Sequence, residues 1–142
     1  MENKENNLLL KDLCSRLPYG VKISIPDLWT QKREIEILDE IFKGDDGLYR
    51  VNSKGQCIEH IKPYLFPLSS MTEEQREKLH KLWDSNMSVA LDCAIYGDVL
   101  KNGLHQLTAA KKVNEWCYEN HFDINGLIPM GMAIDATDKN IY

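Results

Sequence analysis

One stretch, Ile61 to Gln75, reads IKPYLFPLSSMTEEQ and divides the chain into two unlike halves. Pro63 and Pro67 hold Tyr64–Leu68 extended and keep it out of helices and of central strands. At its far end Thr72 and Gln75 have the spacing of a capping box. The side chain of each accepts the other's free backbone N–H, and a helix follows. Glu73 and Glu74 suit the positive end of that helix. Before the stretch the chain reads as one helix and then short strands. After it the chain reads as helices.

In the first half, residues 1–7 are polar and are expected to be a disordered tail. Leu9, Leu13 and Leu17, with Leu10 beside them, form an apolar helical stripe. Asp12 and Arg16 are an i,i+4 pair on its other side. Pro18 ends this helix. Val21, Ile23 and Ile25 alternate with polar residues as a half-buried strand stopped by Pro26, and Trp29 anchors the loop that follows. Arg33–Phe42 fits a strand through Ile35 and Ile37, and a helix through Ile35, Leu38 and Phe42. The strand is preferred because a turn, Asp45-Asp46-Gly47, and another strand, Leu48–Asn52, follow closely. Beyond Ser53-Lys54-Gly55, Cys57–Ile61 is a short strand with Ile58 and His60 on opposite faces. These segments make a small antiparallel sheet or open barrel of about four strands.

In the second half, Leu79, Leu82 and Trp83 are the buried stripe of a helix that ends within Asp84–Ser88. Val89–Leu100 is apolar with little period, strand or buried helix, and helix is preferred. Asn102-Gly103 reads as a turn. Thr108 then caps a helix to about His121 with Leu107, Ala110, Val113, Trp116 and Cys117 inside. The last segment, HFDINGLIPMGMAIDATDKNIY, is loop-like yet apolar, so it must lie against the core or against a partner. The whole predicts a single α+β domain over residues 1–142: an N-terminal helix, the sheet, and two or three C-terminal helices.

Composition narrows the function classes. No apolar run approaches the ~20 residues of a membrane helix, and the start, MENKENNLLLKDLC, is not a signal peptide. A cytoplasmic location is expected. The net charge is −5, with 10 Lys/Arg against 11 Asp/Glu up to residue 71 and 7 against 11 beyond it. Without a basic stripe, neither nucleic acid nor a membrane is an expected partner. Four cysteines without a CxxC read as reduced, mostly buried thiols.

Few constellations carry chemistry. Cys57, His60, Cys117 and His121 have spacings from which a tetrahedral zinc site is built, but such spacings arise readily by chance. No catalytic residue and no cofactor is assigned. A Cys–His pair comes without any protease signature. Asp92 and Asp98, and later Asp123, Asp135 and Asp138, read as solvated turn and surface residues. Gly126 to Gly131 has the wrong spacing for a phosphate loop. Trp29, Tyr49, Tyr64, Phe66, Trp83 and Trp116 lack the flanking Lys/Arg of a base-stacking platform and read as core or interface anchors. Tyr64, Phe66, Met71, Met130 and Met132 are the candidates for a partner-binding patch. Their plainer reading is that they close the core.

Three blocks, LPYGVK (Leu17–Lys22), IKPYLFPLSSMTEEQ and NHFDINGLIPMGMAIDAT, resemble an uncharacterised family of small proteins encoded in Bacteroidales genomes, prophages and gut phages. The resemblance spans most of the chain. It implies a phage or mobile-element source, a host-cell cytoplasmic setting and an accessory role, and it transfers no active site. The expectation is a non-enzymatic module that binds a protein partner or a copy of itself. The alternative is a small-ligand or nucleotide-binding protein with a pocket between sheet and helices.

Overall fold

The computed structural model describes residues 2–27, 29, 30, 32–95 and 99–142, with the side chains of all of these except residues 2, 3, 86–95 and 99–106. The described residues form an α+β fold, with an N-terminal helix, two sheets and two long helices towards the C-terminal end.

Helix α1 (Glu2–Arg16) stops before Pro18, and Gly20, with φ of 66°, supplies the left-handed turn that follows. It takes in the polar residues 2–7 expected to form a loose tail. Once Leu9 and Leu13 are buried in the core, extending the helix by a turn costs little, because nucleation is already complete. The Asp12–Arg16 pair, expected on the wet side, is instead fully buried.

Strands β1 (Lys22–Pro26) and β2 (Arg33–Ile37) form an antiparallel pair. The segment expected to run unbroken to Phe42 splits, and β3 (Ile41–Lys43) joins β4 (Tyr49–Val51) and β5 (Gln56–Cys57) in a separate three-stranded sheet. Asn52 explains the break. Its side chain accepts the Asp39 N–H (3.0 Å) and donates to the Ile37 carbonyl (2.9 Å), which satisfies the backbone where the strand bends. Most of Cys57–Ile61 is a 3-10 turn, Ile58–His60, rather than a strand, with Ile58 buried and His60 exposed as their opposite faces require.

The stretch at Ile61 differs most from expectation. Lys62–Leu65 is a strand, β6, and it is interior. It pairs antiparallel with β1 and parallel with β7 (Ile134–Asp135), in the order β2-β1-β6-β7. Pro63 is tolerated because it faces Ile23, a position whose own hydrogen bonds go to β2. Its missing N–H falls on the other side, before the β7 pairing starts at Tyr64. Strand β7 lies in the segment read as a loop. It was missed because two residues are too few to show a period.

The capping box forms as the sequence predicts. Thr72 N–H donates to Gln75 Oε1 (2.9 Å) and Gln75 N–H donates to Thr72 Oγ1 (3.2 Å). Helix α2 (Glu73–Ile95) continues past the expected stop at Asp84–Ser88. Val89–Ile95 is helical, as preferred. Helix α3 (Val99–Glu119) contains Asn102, Gly103 and Thr108 in its interior, so these residues form neither a turn nor a cap. Long mutual packing of α2 and α3 overrides the local turn signals. Of the predicted inner face of α3, Cys117 is buried and Ala110, Val113 and Trp116 are half-buried, whereas Leu107 is 68% exposed and Ala109 is fully buried instead. Leu79 and Leu82 are half-buried and Trp83 is exposed.

The core is built from Leu9 and Leu13 of α1, Val21 just before β1, Ile23 and Ile25 along it, and Leu38, Val51, Ile58, Ile61 and Leu65. Leu127 and Ala133 join it, with Ile128 and Met132 packed against it, so the late apolar segment lies on the core. No described helix is long and apolar enough to cross a membrane.

Candidate functional site

Strand β2 is an edge of the four-stranded sheet, and its sequence REIEI puts two chemistries on its two faces. Val21 accepts from the Leu38 N–H and Lys32 accepts from the Asp27 N–H, each at the end of the β1–β2 ladder. Counting inward from both, the backbone groups of Glu34 and Glu36 face β1, and those of Arg33 and Ile35 face outward. Ile35 and Ile37 share the face opposite Ile23 and Ile25 and are 52% and 55% exposed. Arg33 folds back over that face, donating to Ser24 Oγ (2.6 Å) and to the His60 carbonyl (2.8 Å). On the other face Lys54 bridges Glu34 (3.0 Å) and Glu36 (3.2 Å). Asn52 donates to Glu36 (3.1 Å), and this bond, with Lys54, holds the carboxyl below its usual pKa. Trp29, expected as an anchor, is 93% exposed and lines a cavity of about 310 Å³ with Ile25, Pro26, Glu34 and Lys54.

The predicted partner-binding residues are not gathered into one patch. Tyr64 is buried in the sheet, and Met132 packs on the core. Phe66 and Met71 are half-buried, and Met130 alone of the five is exposed. Sequence reasoning missed Ile35 and Ile37. Their alternation marks a strand, but alternation does not say which face meets the core.

The four residues whose spacing allows a zinc site, though none is assigned, stay apart. Cys57 and His60 bracket the 3-10 turn after β5, whereas Cys117 and His121 lie at the end of α3. Among the described residues no group of three or more His, Cys, Asp or Glu is placed to hold a metal ion. Cys14 is exposed, Cys57 half-buried and Cys117 buried, all three as free thiols, so the thiols are less buried than expected. Burial pushes the Cys117 thiol pKa up, with Arg16 opposing, which is the reverse of an activated nucleophile. Asp123 is buried and organises its loop by accepting the N–H groups of Leu127 (2.8 Å) and Ile128 (2.9 Å). The side chains of Asp92 and Cys93, and all of Asp98, lie outside the described residues.

A second cavity, of about 440 Å³, opens between the segment after β6, the start of α2 and the end of α3. Phe66, Phe122, His121 and Tyr142 wall it, and Ser70, Thr72, Gln75, Glu119, Asn120 and Thr137 complete its lining. The end of α3 sets this wall. Phe122 N–H bonds to the Cys117 carbonyl (2.9 Å) and His121 N–H to that of Tyr118 (3.1 Å). This is a Schellman closure, with Phe122 stacked on Trp116 at 5.7 Å as its hydrophobic contact. His121 occupies the left-handed position, φ 64°, where glycine is usual. Its ring stacks on Tyr142 at 3.8 Å between centroids. Burial, with Arg16 and Lys22 nearby, pushes its pKa down to about 4, so it is neutral at pH 7. Burial likewise pushes the Tyr142 phenol up to about 12.

No family model matches the chain, and no curated protein or solved structure does either.

Proposed function

We propose that this protein is a protein-binding module that takes an extended segment of a partner along the free edge of β2. The carrying observation is the pair of exposed isoleucines, Ile35 and Ile37, on a strand whose outer edge no other described strand covers. Such an edge offers backbone groups for strand addition, with alternate side chains to set specificity. Trp29 stands exposed near the start of the strand as a second anchor.

Charge favours a different chain over a second copy. A two-fold antiparallel pairing centred on Ile35 sets Glu34 opposite the copy's Glu36, twice, and one Lys54 per chain offsets only one of its two carboxylates, so like charges remain opposite each other and destabilise such a sheet. The matching partner strand alternates apolar residues, against Ile35 and Ile37, with basic residues, against Glu34 and Glu36. An accessory role in a phage or mobile element rests on the sequence resemblance alone.

The test is a titration with a ten-residue peptide of alternating valine and lysine, followed by amide NMR. Binding should shift and protect the amides of Arg33, Ile35 and Ile37. The double variant Ile35→Lys/Ile37→Lys should remain folded and lose it. Peptide shifts confined to other elements, or binding unchanged in the double variant, would sink the proposal.

A further inference from the structure

We infer that the cavity walled by Phe66, His121 and Tyr142 binds an uncharged planar heteroaromatic molecule with the size and edge chemistry of a nucleoside. Three observations converge on that class.

The first is the wall. The Phe66 ring lies 5.7 Å from Tyr142 and 6.2 Å from Phe122, tilted against both. A further flat ring extends such a cluster by stacking or by edge contact. His121 contributes its ring from a left-handed backbone that glycine adopts more readily than any other residue. The closure of α3 needs only a residue that accepts this conformation, and glycine would do so at less cost. The imidazole is therefore what distinguishes this position, and it packs against Tyr142 in the cavity wall.

The second is the polar edge. Gln75 Oε1 is taken by the Thr72 N–H, which leaves the Gln75 amide NH₂ as a donor. Asn120 Nδ2 is taken by the Trp116 carbonyl, which leaves Asn120 Oδ1 as an acceptor. A donor and an acceptor beside an aromatic wall match the edge of a nucleobase.

The third is charge. The lining holds one carboxylate, Glu119, and no Lys or Arg. His121 is neutral at pH 7. The start of α2 borders the cavity, but its capping box engages the Thr72 and Gln75 N–H groups. Glu73 and Glu74 already occupy the positive end of its dipole. A phosphate in the cavity thus meets Glu119 and no Lys or Arg of the lining, with Arg16 and Lys22 acting only from behind the His121–Tyr142 pair, so the base with its sugar is favoured over the nucleotide.

The experiment titrates adenosine, guanosine, cytidine and uridine, each against its 5′-monophosphate, by calorimetry and amide NMR. At least one nucleoside should bind with a Kd below about 1 mM and shift Gln75, Asn120, His121 and Tyr142. Its monophosphate should bind at least about tenfold more weakly. His121→Gly keeps the left-handed backbone and removes the ring. It should stay folded and bind at least about tenfold more weakly, as should Phe66→Leu. No nucleoside binding, shifts away from these residues, tighter binding of the monophosphate, or unchanged affinity in both variants would each overturn the assignment.

Discussion

The Asp12 carboxylate and the Arg16 guanidinium meet at 2.7 Å with both side chains fully buried. They stand one turn apart on α1, yet their bonds reach well beyond it. Arg16 Nη2 also donates to Asp12 Oδ1 (3.1 Å) and to the Phe122 carbonyl (2.7 Å). Asn125 donates to the same Asp12 oxygen at 2.8 Å. The guanidinium lies over the Tyr118 ring, 4.9 Å from its centroid, which gives a face for Arg16 Nη1, buried without a hydrogen-bond partner among the described residues. A buried ion pair recovers its lost hydration only when its other bonds are made. These bonds tie α1 to the end of α3 and to the loop beyond, the same segment that builds the aromatic cavity.

Breaking that pair should be among the most damaging single changes. Arg16→Met leaves a buried carboxylate with no counter-charge and should cost ~3–5 kcal/mol in urea unfolding. Asp12→Leu should cost a similar amount. The double variant should lose clearly less than the sum of the two, because neither charge is then left alone. Strictly additive losses would show that the pair is not coupled.

Acid should weaken the fold through His121. In the unfolded chain its pKa is near 6.5, and in the fold it is about 4. Between those values the unfolded state binds the proton and the folded state does not, so stability falls as pH drops from about 6.5 to about 4. The full shift corresponds to ~3 kcal/mol. His121 is only half-buried, so solvent screening reduces the expected contribution to ~1–2 kcal/mol. His121→Gln should flatten this part of the stability–pH curve, and the His121 ring resonances should titrate near pH 4. Titration near 6.5 would show that the ring is not desolvated.

Tyr142 replaces a rung of the sheet. Lys22 and Tyr64 are the next hydrogen-bonding positions after the Ser24–Lys62 pair, but their backbones do not bond directly. The Lys22 N–H donates to the Tyr142 hydroxyl (2.8 Å), and that hydroxyl donates to the Tyr64 carbonyl (2.8 Å). Tyr142→Phe leaves both backbone groups without this partner. It should cost ~1–3 kcal/mol and speed hydrogen exchange at the Lys22 amide. Unchanged exchange there would mean that the two strands close on each other directly.

Local rules made part of this legible. The alternation of Val21, Ile23 and Ile25, the Thr72–Gln75 box and the leucine stripe of α1 each repeat one short-range physical pattern, and each forms. What failed depends on neighbours distant in sequence. Pro63 reads as a strand breaker until β7 is known to begin one residue later. Asp12 and Arg16 read as a surface pair until Phe122 and Asn125 close over them. Asn102-Gly103 reads as a turn until α2 supplies a helix to pack against. The candidate surfaces were the least legible. REIEI shows which residues share a face, but only the fold shows that β2 is an edge and that Ile35 and Ile37 face away from the core. His121 appeared as a metal ligand because spacing alone describes it. Its left-handed backbone and its stack on Tyr142 are set by the closure of α3.

The capping box gives a last test, because both of its bonds are visible and both partners are replaceable. Thr72→Ala removes the acceptor for the Gln75 N–H and should cost ~1 kcal/mol. Gln75→Ala removes the acceptor for the Thr72 N–H and should cost less, since Thr72 is exposed and water takes its place. The box begins a helix whose long packing is against α3, so loosening the first turn should fray it locally without unfolding the sheet. Amide exchange should therefore rise at Glu73–Arg76 in Thr72→Ala and stay unchanged along β1 and β6. A global rise would mean that α2 and the sheet unfold as one unit.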